Sequence, residues 1–461
     1  MLRNTLRTIA VLTLLLSAIF IPFLASGYSE IKQAETATSY PEVARHYLIA
    51  AKRLPWRPDL YELAGTAYYH ARDYVQAEVG YQKAFERNAL SPSGWVAWGD
   101  VLYLNQEPEH AFEIWKDGLK QSEPSTQLYS RLAKVYQEQN DYISAAENLQ
   151  RFVAANPQDA PAHYRLGLLL TFTDSNVAAS ELLNASQLDP EFDPAVQTLR
   201  TALNLATIND SASERSVIIG RGLGLVNEWQ LALAAFQSAV QVDEKNAEAW
   251  AWLGEAKQQT GGKDALTYLD RALTINPNSP TVRSLRGLYF QRVGNYRDAL
   301  TESQAAARLD IKNPAMFVSL GNAYAMTGDL ILGLQSYQYA ASLAPEDTTY
   351  WTLLAAFCAQ NNVNVSDVGI PAAQKAIALS KNDPTALDVL GWNYLLMRRY
   401  IEAESALKQA LENDLNYAPA HVHLATVYLQ KNDRVAAYDH LIQARNLGST
   451  EAEAALNQYF P

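Results

Sequence analysis

The sequence predicts an all-α protein built from repeated pairs of short antiparallel helices. The stretch from Pro314 to Pro345 shows this best, because apolar residues recur at helical spacing on both sides of a turn at 327–329. Bulky residues there would fill the seam between the helices, small residues would let the backbones approach, and Pro345 would end the second helix. The bulky and small positions are Phe317, Leu320, Tyr324, Tyr337, Gly321, Gly333 and Ala340.

The same pattern of small and bulky positions recurs along most of the chain. Gly65, Gly99, Ala133 and Gly167 follow one another at intervals of 34 residues. Later units are marked by Gly220, Gly254, Gly287, Gly321, Ala355, Gly391 and Ala425, which gives about eleven units. We therefore expect one array over residues 40–192 and a second over residues 213–461, which ends in a capping helix.

The period fails between the two arrays. Residues 194–208 read as one helix, and Asn209, Asp210 and Ser211 read as a break that contains helix-capping residues. An extra helix would change the angle between two stacks of repeats, so we predict a kink or hinge in residues 193–212. A longer turn is also predicted over residues 361–371, between the two helices of a later unit.

Residues 1–27 predict a signal peptide or a signal-anchor transmembrane helix. Arg3 and Arg7 precede an uncharged run whose apolar part, residues 9–25, would span about 25 Å as a helix against about 30 Å of bilayer core. Cleavage after small residues near Ala25 and retention as an anchor both remain open, and a buried first helix is the third alternative. Either of the first two places the repeats outside the cytoplasm. Residues 28–39 are expected to be a linker.

Charge and cysteine content exclude several function classes. The net charge is −12, from 49 acidic and 37 basic residues, and no basic run suggests a nucleic-acid partner. The single cysteine, Cys358, excludes an intrachain disulfide and a cysteine metal cage, and its apolar surroundings predict burial.

The sequence contains no recognisable catalytic, cofactor or metal motif. Gly261, Gly262 and Lys263 are followed by an aspartate, which does not fit a phosphate-binding loop. His421 and His423 are two residues apart, so on a helix they point to different faces and cannot share a metal ion. The recurrent tryptophans occupy seam positions, where core packing is expected. We therefore expect no enzyme activity, no cofactor and no metal.

The small and bulky positions together resemble those of the tetratricopeptide repeat family, over nearly everything from Tyr40 to the C-terminus. This resemblance implies a right-handed superhelical solenoid in which the first helix of each pair lines a concave groove. Proteins of this family typically bind extended peptides or helices of partners and organise complexes without catalysis.

Transferring the groove positions gives a set of candidate partner-binding residues. They are Asp59, Glu62, Tyr69, His70, Asp100, Tyr103, Tyr164, Phe172, Asn322 and Trp392. Further positions on the same faces are Lys134, Glu138, Arg221, Glu248, Glu255, Arg292 and Asp388. Acidic residues outnumber basic ones, and Asn322 has no cluster of lysines around it, so a clamp for acidic C-termini is not expected. An acidic groove with aromatic residues favours an extended basic or apolar segment.

The function expected from the sequence is a non-catalytic scaffold for protein–protein interaction, anchored in a membrane or exported. Alternatives are an assembly factor for envelope polysaccharide export or secretion machinery, a solenoid that binds glycans, and an enzyme with a concealed site. Exposed aromatic residues along the groove would favour the glycan alternative, and a deep pocket with clustered titratable groups would favour the enzyme.

Overall fold

The computed structural model of the protein describes residues 21–121, 123–380 and 383–460. All regular secondary structure in these ranges is helical. The chain divides into two compact units, one up to Asn204 and one from Leu205 onward, and the boundary lies inside a helix.

The first unit consists of helix pairs that follow one another along the chain. Its helices are α1 over residues 21–36, α2 Tyr40–Arg53, α3 Asp59–His70, α4 Tyr74–Phe85, α5 Pro92–Leu104, α6 Pro108–Leu119, α7 Gln127–Glu138, α8 Tyr142–Ala155, α9 Ala160–Leu170 and α10 Ser175–Leu188. A 3-10 turn at Pro190–Phe192 leads into α11, Asp193–Thr207, which crosses the unit boundary.

The second unit repeats the same arrangement. Its helices are α12 Ala212–Leu225, α13 Trp229–Val242, α14 Ala247–Gln259, α15 Ala265–Ile275, α16 Pro280–Arg292, α17 Tyr296–Leu309, α18 Pro314–Met326, α19 Leu330–Leu343, α20 Thr348–Asn361, α21 Ile370–Leu379, α22 Pro384–Leu396, α23 Tyr400–Asn413, α24 Ala418–Gln430, α25 Arg434–Asn446 and α26 Thr450–Tyr459. A π-helical turn at Val365–Gly369 precedes α21.

Local residue chemistry explains the turn inside a pair. Gly328 adopts φ 90°, which a glycine tolerates and which reverses the chain after α18. The Asp329 carboxylate then accepts a hydrogen bond from the Leu332 amide at 3.0 Å and caps α19. The turn predicted at residues 327–329 is therefore present. Gly328 supplies its positive φ angle, and Asp329 supplies the cap of the next helix.

The predicted seam between paired helices is also present. A Cβ atom at Gly321 would lie 2.6 Å from the Tyr337 ring, and one at Gly99 would collide with the Trp115 indole. Tyr337 and Trp115 are both buried. A bulky side chain of the second helix thus fills the space that a glycine of the first helix leaves open.

A recurring contact fixes the loop before several first helices. In each case the donor is the residue four positions before the small seam residue. Its side-chain N–H donates to the backbone carbonyl oxygen of the residue six positions before the donor. The donor–acceptor pairs are His163 to Pro157 at 3.1 Å, Trp250 to Glu244 at 2.9 Å, Arg283 to Pro277 at 3.1 Å, Trp351 to Pro345 at 2.9 Å and His421 to Leu415 at 3.1 Å. Three residue types therefore do the same structural work.

The N-terminal prediction needs a correction. Residues 28–36 of the expected linker belong to α1, which packs on α2. Glu30 lies 2.6 Å from the Nδ1 atom of His46 and 2.8 Å from the Nη1 atom of Arg53, and a Cβ atom at Gly27 would lie 2.7 Å from Leu54. Apolar packing of Leu24 and Ile31 on Leu54 also holds α1 in place, together with these polar contacts.

Residues 1–20 of the predicted signal or anchor segment lie outside the described residues. In the part of the chain that the structure describes, no helix is both long enough and apolar enough to span a bilayer.

The two irregular segments are ordered as helices. α11 corresponds to the single helix predicted at residues 194–208, and the Ser211 hydroxyl caps α12 by accepting from the Glu214 amide at 3.2 Å. The kink or hinge expected there stays a prediction. The longer turn predicted over residues 361–371 contains the π-helical turn Val365–Gly369. Asn362 and Asn364, which precede this π-helical turn, have φ angles of 50° and 45°.

Candidate functional site: the surface of the first helices

The candidate site is the exposed face of the first helices of the repeats. We call it the first-helix surface. It is formed in the first unit by α3, α5, α7 and α9, and in the second unit by α12, α14, α16, α18, α20, α22 and α24. The predicted groove residues lie on or next to these helices, spread over both units.

In the first unit, acidic candidates pair with the following repeat. Asp100 on α5 accepts two hydrogen bonds from Arg131 on α7, at 2.7 and 3.0 Å. These bonds raise the pKa of the Arg131 guanidinium. Glu62 on α3 accepts from the Ser91 amide at 2.7 Å and from the Ser91 hydroxyl at 2.5 Å, at the start of α5. Both carboxylates therefore join neighbouring first helices.

A third link of this kind involves an aromatic candidate. The Tyr103 hydroxyl donates to Glu138 at 2.6 Å, and the Lys134 ammonium lies 4.5 Å from the Tyr103 ring centroid. The hydrogen bond to Glu138 raises the pKa of Tyr103. Lys134 also lies 4.0 Å from Glu138, so this cation and carboxylate largely balance each other.

At the start of the array, the candidates contact residues of α2, of α3 or of the loop between these helices. Asp59 pairs with Arg57 at 2.7 Å, and the hydrogen bond from this guanidinium lowers the pKa of Asp59. The His70 ring lies 5.1 Å from the Tyr40 ring and 5.5 Å from the Tyr69 ring.

The remaining aromatic candidates of the first unit form stacked pairs. Tyr164 stacks on Phe192 with 4.8 Å between centroids, and Phe172 stacks on Tyr142 at 5.7 Å. Both candidates are partly buried. Stacking on Phe192 and Tyr142 fixes the positions of these two rings.

The second unit repeats the pairing of acidic residues. Glu255 on α14 is 3% exposed and binds Arg292 on α16 through two hydrogen bonds, at 2.7 and 2.8 Å. Asn322 accepts from the Tyr337 hydroxyl at 2.6 Å, a bond within one helix pair. Burial raises the pKa of Tyr337 to about 12.

Trp392 belongs to a small cluster on α22 and α24. Its indole stacks on the His423 ring with 5.0 Å between centroids, and the Nδ1 atom of His423 lies 2.8 Å from the Asp388 carboxylate. Burial opposes the charging of His423, but the Asp388 charge and hydrogen bond outweigh it and raise the pKa of His423. Asp388 is itself buried.

The structure thus changes how the predicted acidic groove is understood. Asp59, Asp100 and Glu255 pair with arginines, and Asp388 pairs with His423. Glu62 keeps its charge and is hydrogen-bonded by Ser91. Sequence reasoning found the positions but not the pairs, because partners such as Asp100 and Arg131 are 31 residues apart. The aromatic candidates Tyr164 and Phe172 are partly buried and stacked on neighbouring rings.

A partly open cavity lies beside the first-helix surface within the second unit. It has a volume of about 160 Å³ and lies between α12, α13 and α14. Its lining residues are Gly220, Arg221, Gly224, Leu225, Trp229, Phe236 and Trp252. Of these, Arg221 was among the further groove positions expected from the sequence, and Gly220 was among the small seam positions.

The histidines have structural partners. His421 Nδ1 lies 2.9 Å from His440 Nδ1, and burial together with the neighbouring His421 lowers the pKa of His440. His421 and His423 contact different residues, as their spacing predicts. No group of three or more side chains suited to a metal ion occurs among the described residues.

Comparisons with known proteins agree on the repeat. The tetratricopeptide repeat model matches residues 130–191, 226–280 and 284–348. Tetratricopeptide repeat protein 37 of Xenopus laevis is 25% identical over 217 residues, which cover 45% of this chain and 13% of that protein. Superkiller complex protein 3 of Mus musculus is 24% identical over 298 residues, which cover 63% of this chain and 18% of the relative. The chain therefore spans about a fifth or less of these relatives' length.

Solved structures were compared as well. The crystal structure of the APC/C hetero-tetramer Cut9–Hcn1 aligns over 95% of both chains with 16% identity and a TM-score of 0.44. Yeast Tom70 aligns over 96% of both chains with 15% identity and a TM-score of 0.42. The matches to the repeat model, and the recurring helix pairs in which bulky side chains pack on glycines, show that the chain is built from tetratricopeptide repeats.

Proposed function

We propose that the protein is a non-catalytic scaffold that binds an extended segment of a partner protein through its first-helix surface. The pairing of the acidic residues carries this proposal. Because Asp100 and Glu255 are engaged by arginines of the next repeat, these two carboxylates have little uncompensated charge to attract a basic segment. The sequence left a basic and an apolar partner segment as alternatives. The partly buried aromatic rings of the first-helix surface favour the apolar segment.

Two further observations support protein binding. Trp95, Trp98 and Trp115 are buried in the seams, which leaves them unable to form a stacking platform for a glycan. The mouse relative is named as a protein of a complex, which agrees with a role in assembly. An assembly factor for export or secretion machinery would also be a scaffold that binds proteins, with partners that belong to that machinery.

A peptide library displayed on phage and panned against the full chain in detergent tests the proposal. We expect enrichment of sequences rich in aromatic and aliphatic residues. A photoreactive phenylalanine analogue in place of Trp392 should crosslink the enriched peptides. The same analogue in place of Val435, which is 74% exposed on the second helix α25, should not. Enrichment of mainly acidic or mainly basic peptides, or equal crosslinking at both positions, would contradict the proposal.

We also propose that the repeats lie outside the cytoplasm, on a protein that is anchored or exported. The support is the charge-free run that follows Arg3 and Arg7. A Gln230→Cys variant tests it, because Gln230 is exposed whereas the natural Cys358 is 0% exposed. A membrane-impermeant maleimide should label the variant in intact cells as fully as after permeabilisation. Labelling that requires permeabilisation would place the repeats inside.

A further inference from the structure

We propose that the cavity between α12, α13 and α14 binds an aromatic side chain of the partner that stands next to an aspartate or glutamate, and that Arg221 binds this acidic side chain. This inference rests on the proposed function and names one point of contact on the first-helix surface. The partner's acidic group belongs to an internal residue of an extended segment.

Two aromatic rings of the cavity wall pack directly on glycines of α12. A Cβ atom at Gly220 would lie 2.5 Å from the Phe236 ring, and one at Gly224 would lie 3.0 Å from the Trp229 ring. Both rings therefore face bare helix backbone. Phe236 also stacks on Trp252, with 5.9 Å between centroids and 19° between planes, so aromatic rings form several walls.

Its size and chemistry fit one ring. The volume of about 160 Å³ is close to that of an apolar cavity of about 150 Å³ that stays dry and accepts benzene. Leu225, on α12 beside the cavity, is 78% exposed and extends the apolar surface at the rim. An aromatic side chain would lose its contact with water there and gain contact with other rings.

The charge next to the cavity gives the second half of the proposal. The Arg221 guanidinium lies 5.3 Å from the Trp252 ring centroid, and it forms no ion pair among the residues that the structure describes. By contrast, Arg292 on the same surface binds Glu255 and Gln258. A guanidinium over an aromatic ring keeps N–H groups available for a carboxylate.

Arg221 is therefore the charged group beside an otherwise apolar cavity. A partner segment that brings a carboxylate complements this place better than one that brings a cation.

Short peptides with blocked ends test the proposal on the full chain in detergent. Three probes share a Gly-Ser framework and contain Phe-Glu, Phe-Gln or Phe-Lys at the centre, and a fourth replaces the phenylalanine of Phe-Glu by alanine. By fluorescence anisotropy, the wild type should bind Phe-Glu at least about five-fold tighter than each of the others. Equal binding of Phe-Glu and Phe-Gln, or a preference for Phe-Lys, would overturn the proposal.

Charge reversal separates recognition from folding. Arg221→Glu should reverse the preference, with Phe-Lys bound tighter than Phe-Glu, because the exposed side chain can change sign without disturbing the core. The matched control is Arg297→Glu, at an exposed arginine of the second helix α17 in the same unit, and it should leave the order of affinities unchanged. Equal effects of both variants would show that only net charge matters and would overturn the assignment.

A photoreactive benzoyl group on the probe's phenylalanine locates the ring. Crosslinks should map by mass spectrometry to Trp229 or Trp252, and crosslinks elsewhere would contradict the cavity. If these tests fail while the library peptides still crosslink at Trp392, only this inference is lost. If no polypeptide binds the first-helix surface, the proposed function fails as well.

Discussion

The Nε and Nη2 atoms of Arg131 donate to the two carboxylate oxygens of Asp100, at 2.7 and 3.0 Å, and join first helices of successive repeats. Both side chains are partly buried, so the contact is screened less than an ordinary surface ion pair. A solenoid is stabilised by contacts between neighbouring repeats, and this is such a contact made by polar groups.

Asp100→Ala should therefore destabilise the first unit by about 1–3 kcal/mol, because it leaves a partly buried guanidinium without its acceptor. Urea unfolding followed by circular dichroism measures the change. Lys116→Ala, which removes an exposed pair with Glu113, is the control and should cost less than about 0.5 kcal/mol. Equal midpoints for the two variants would mean that the Asp100 contact contributes no stability.

Glu404 should make the second unit sensitive to acid. Hydrogen bonds from Lys408 and Lys431 lower the pKa of Glu404 to about 2. Because the pKa is depressed in the folded state, this stabilisation is complete above the unfolded value of about 4.3 and is lost as pH falls toward 2. Glu404→Gln should therefore lose less stability than the wild type between about pH 5 and pH 2.

Urea unfolding at a series of pH values measures this difference. Glu412→Gln, at an exposed residue of the same helix, should follow the wild-type curve. Parallel curves for the wild type and Glu404→Gln would contradict the prediction.

Cys358 should be inert in the folded protein. Its side chain is 0% exposed, and burial raises the pKa of the thiol to about 12. Since the thiolate is the reactive form, a thiol reagent at mildly alkaline pH should give no signal with native protein. Denaturation in guanidinium should release one reactive thiol per chain. Rapid labelling of the native protein would show that α20 opens readily.

Gly99→Ala should strongly destabilise the first unit. The added Cβ atom would collide with the Trp115 indole, which is 2% exposed and cannot move into solvent without leaving the core. Overpacking of this kind costs about 1–3 kcal/mol, more than the helix preference of alanine returns. Thermal unfolding measures the loss, and Ser93→Ala at an exposed position of α5 is the control. A rise in the midpoint for Gly99→Ala would show that the seam is looser than described.

The helix pairs could be predicted because their signals are local. Gly321 and Tyr337 lie within one repeat, and Gly328 and Asp329 specify their turn through their own backbone and cap chemistry. The same pattern then recurs at a fixed period. Such information does not depend on distant parts of the chain, so reading the sequence in windows recovers it.

The site was harder to predict because it depends on pairs between repeats. A lone Asp100 looks like solvated surface until Arg131 is placed beside it. The α1 helix was missed for another reason. Its inward-facing residues Leu24 and Ile31 lie on either side of residue 28, where the sequence prediction separated an anchor from a linker. Cavities such as the one beside Arg221 arise where side chains are missing, and a sequence pattern does not record empty volume.

The contact between a first-helix side chain and the carbonyl oxygen six residues earlier determines where the chain can be cut. A fragment that begins at Asn246, the N-cap of α14, removes the Glu244 carbonyl and leaves the Trp250 indole N–H without that acceptor. A fragment that contains α14 should therefore begin before the loop that precedes this helix, and not at the first residue of the helix. Repeats excised at Asp243 keep donor and acceptor on one piece, and they are the better starting point for a portable binding unit.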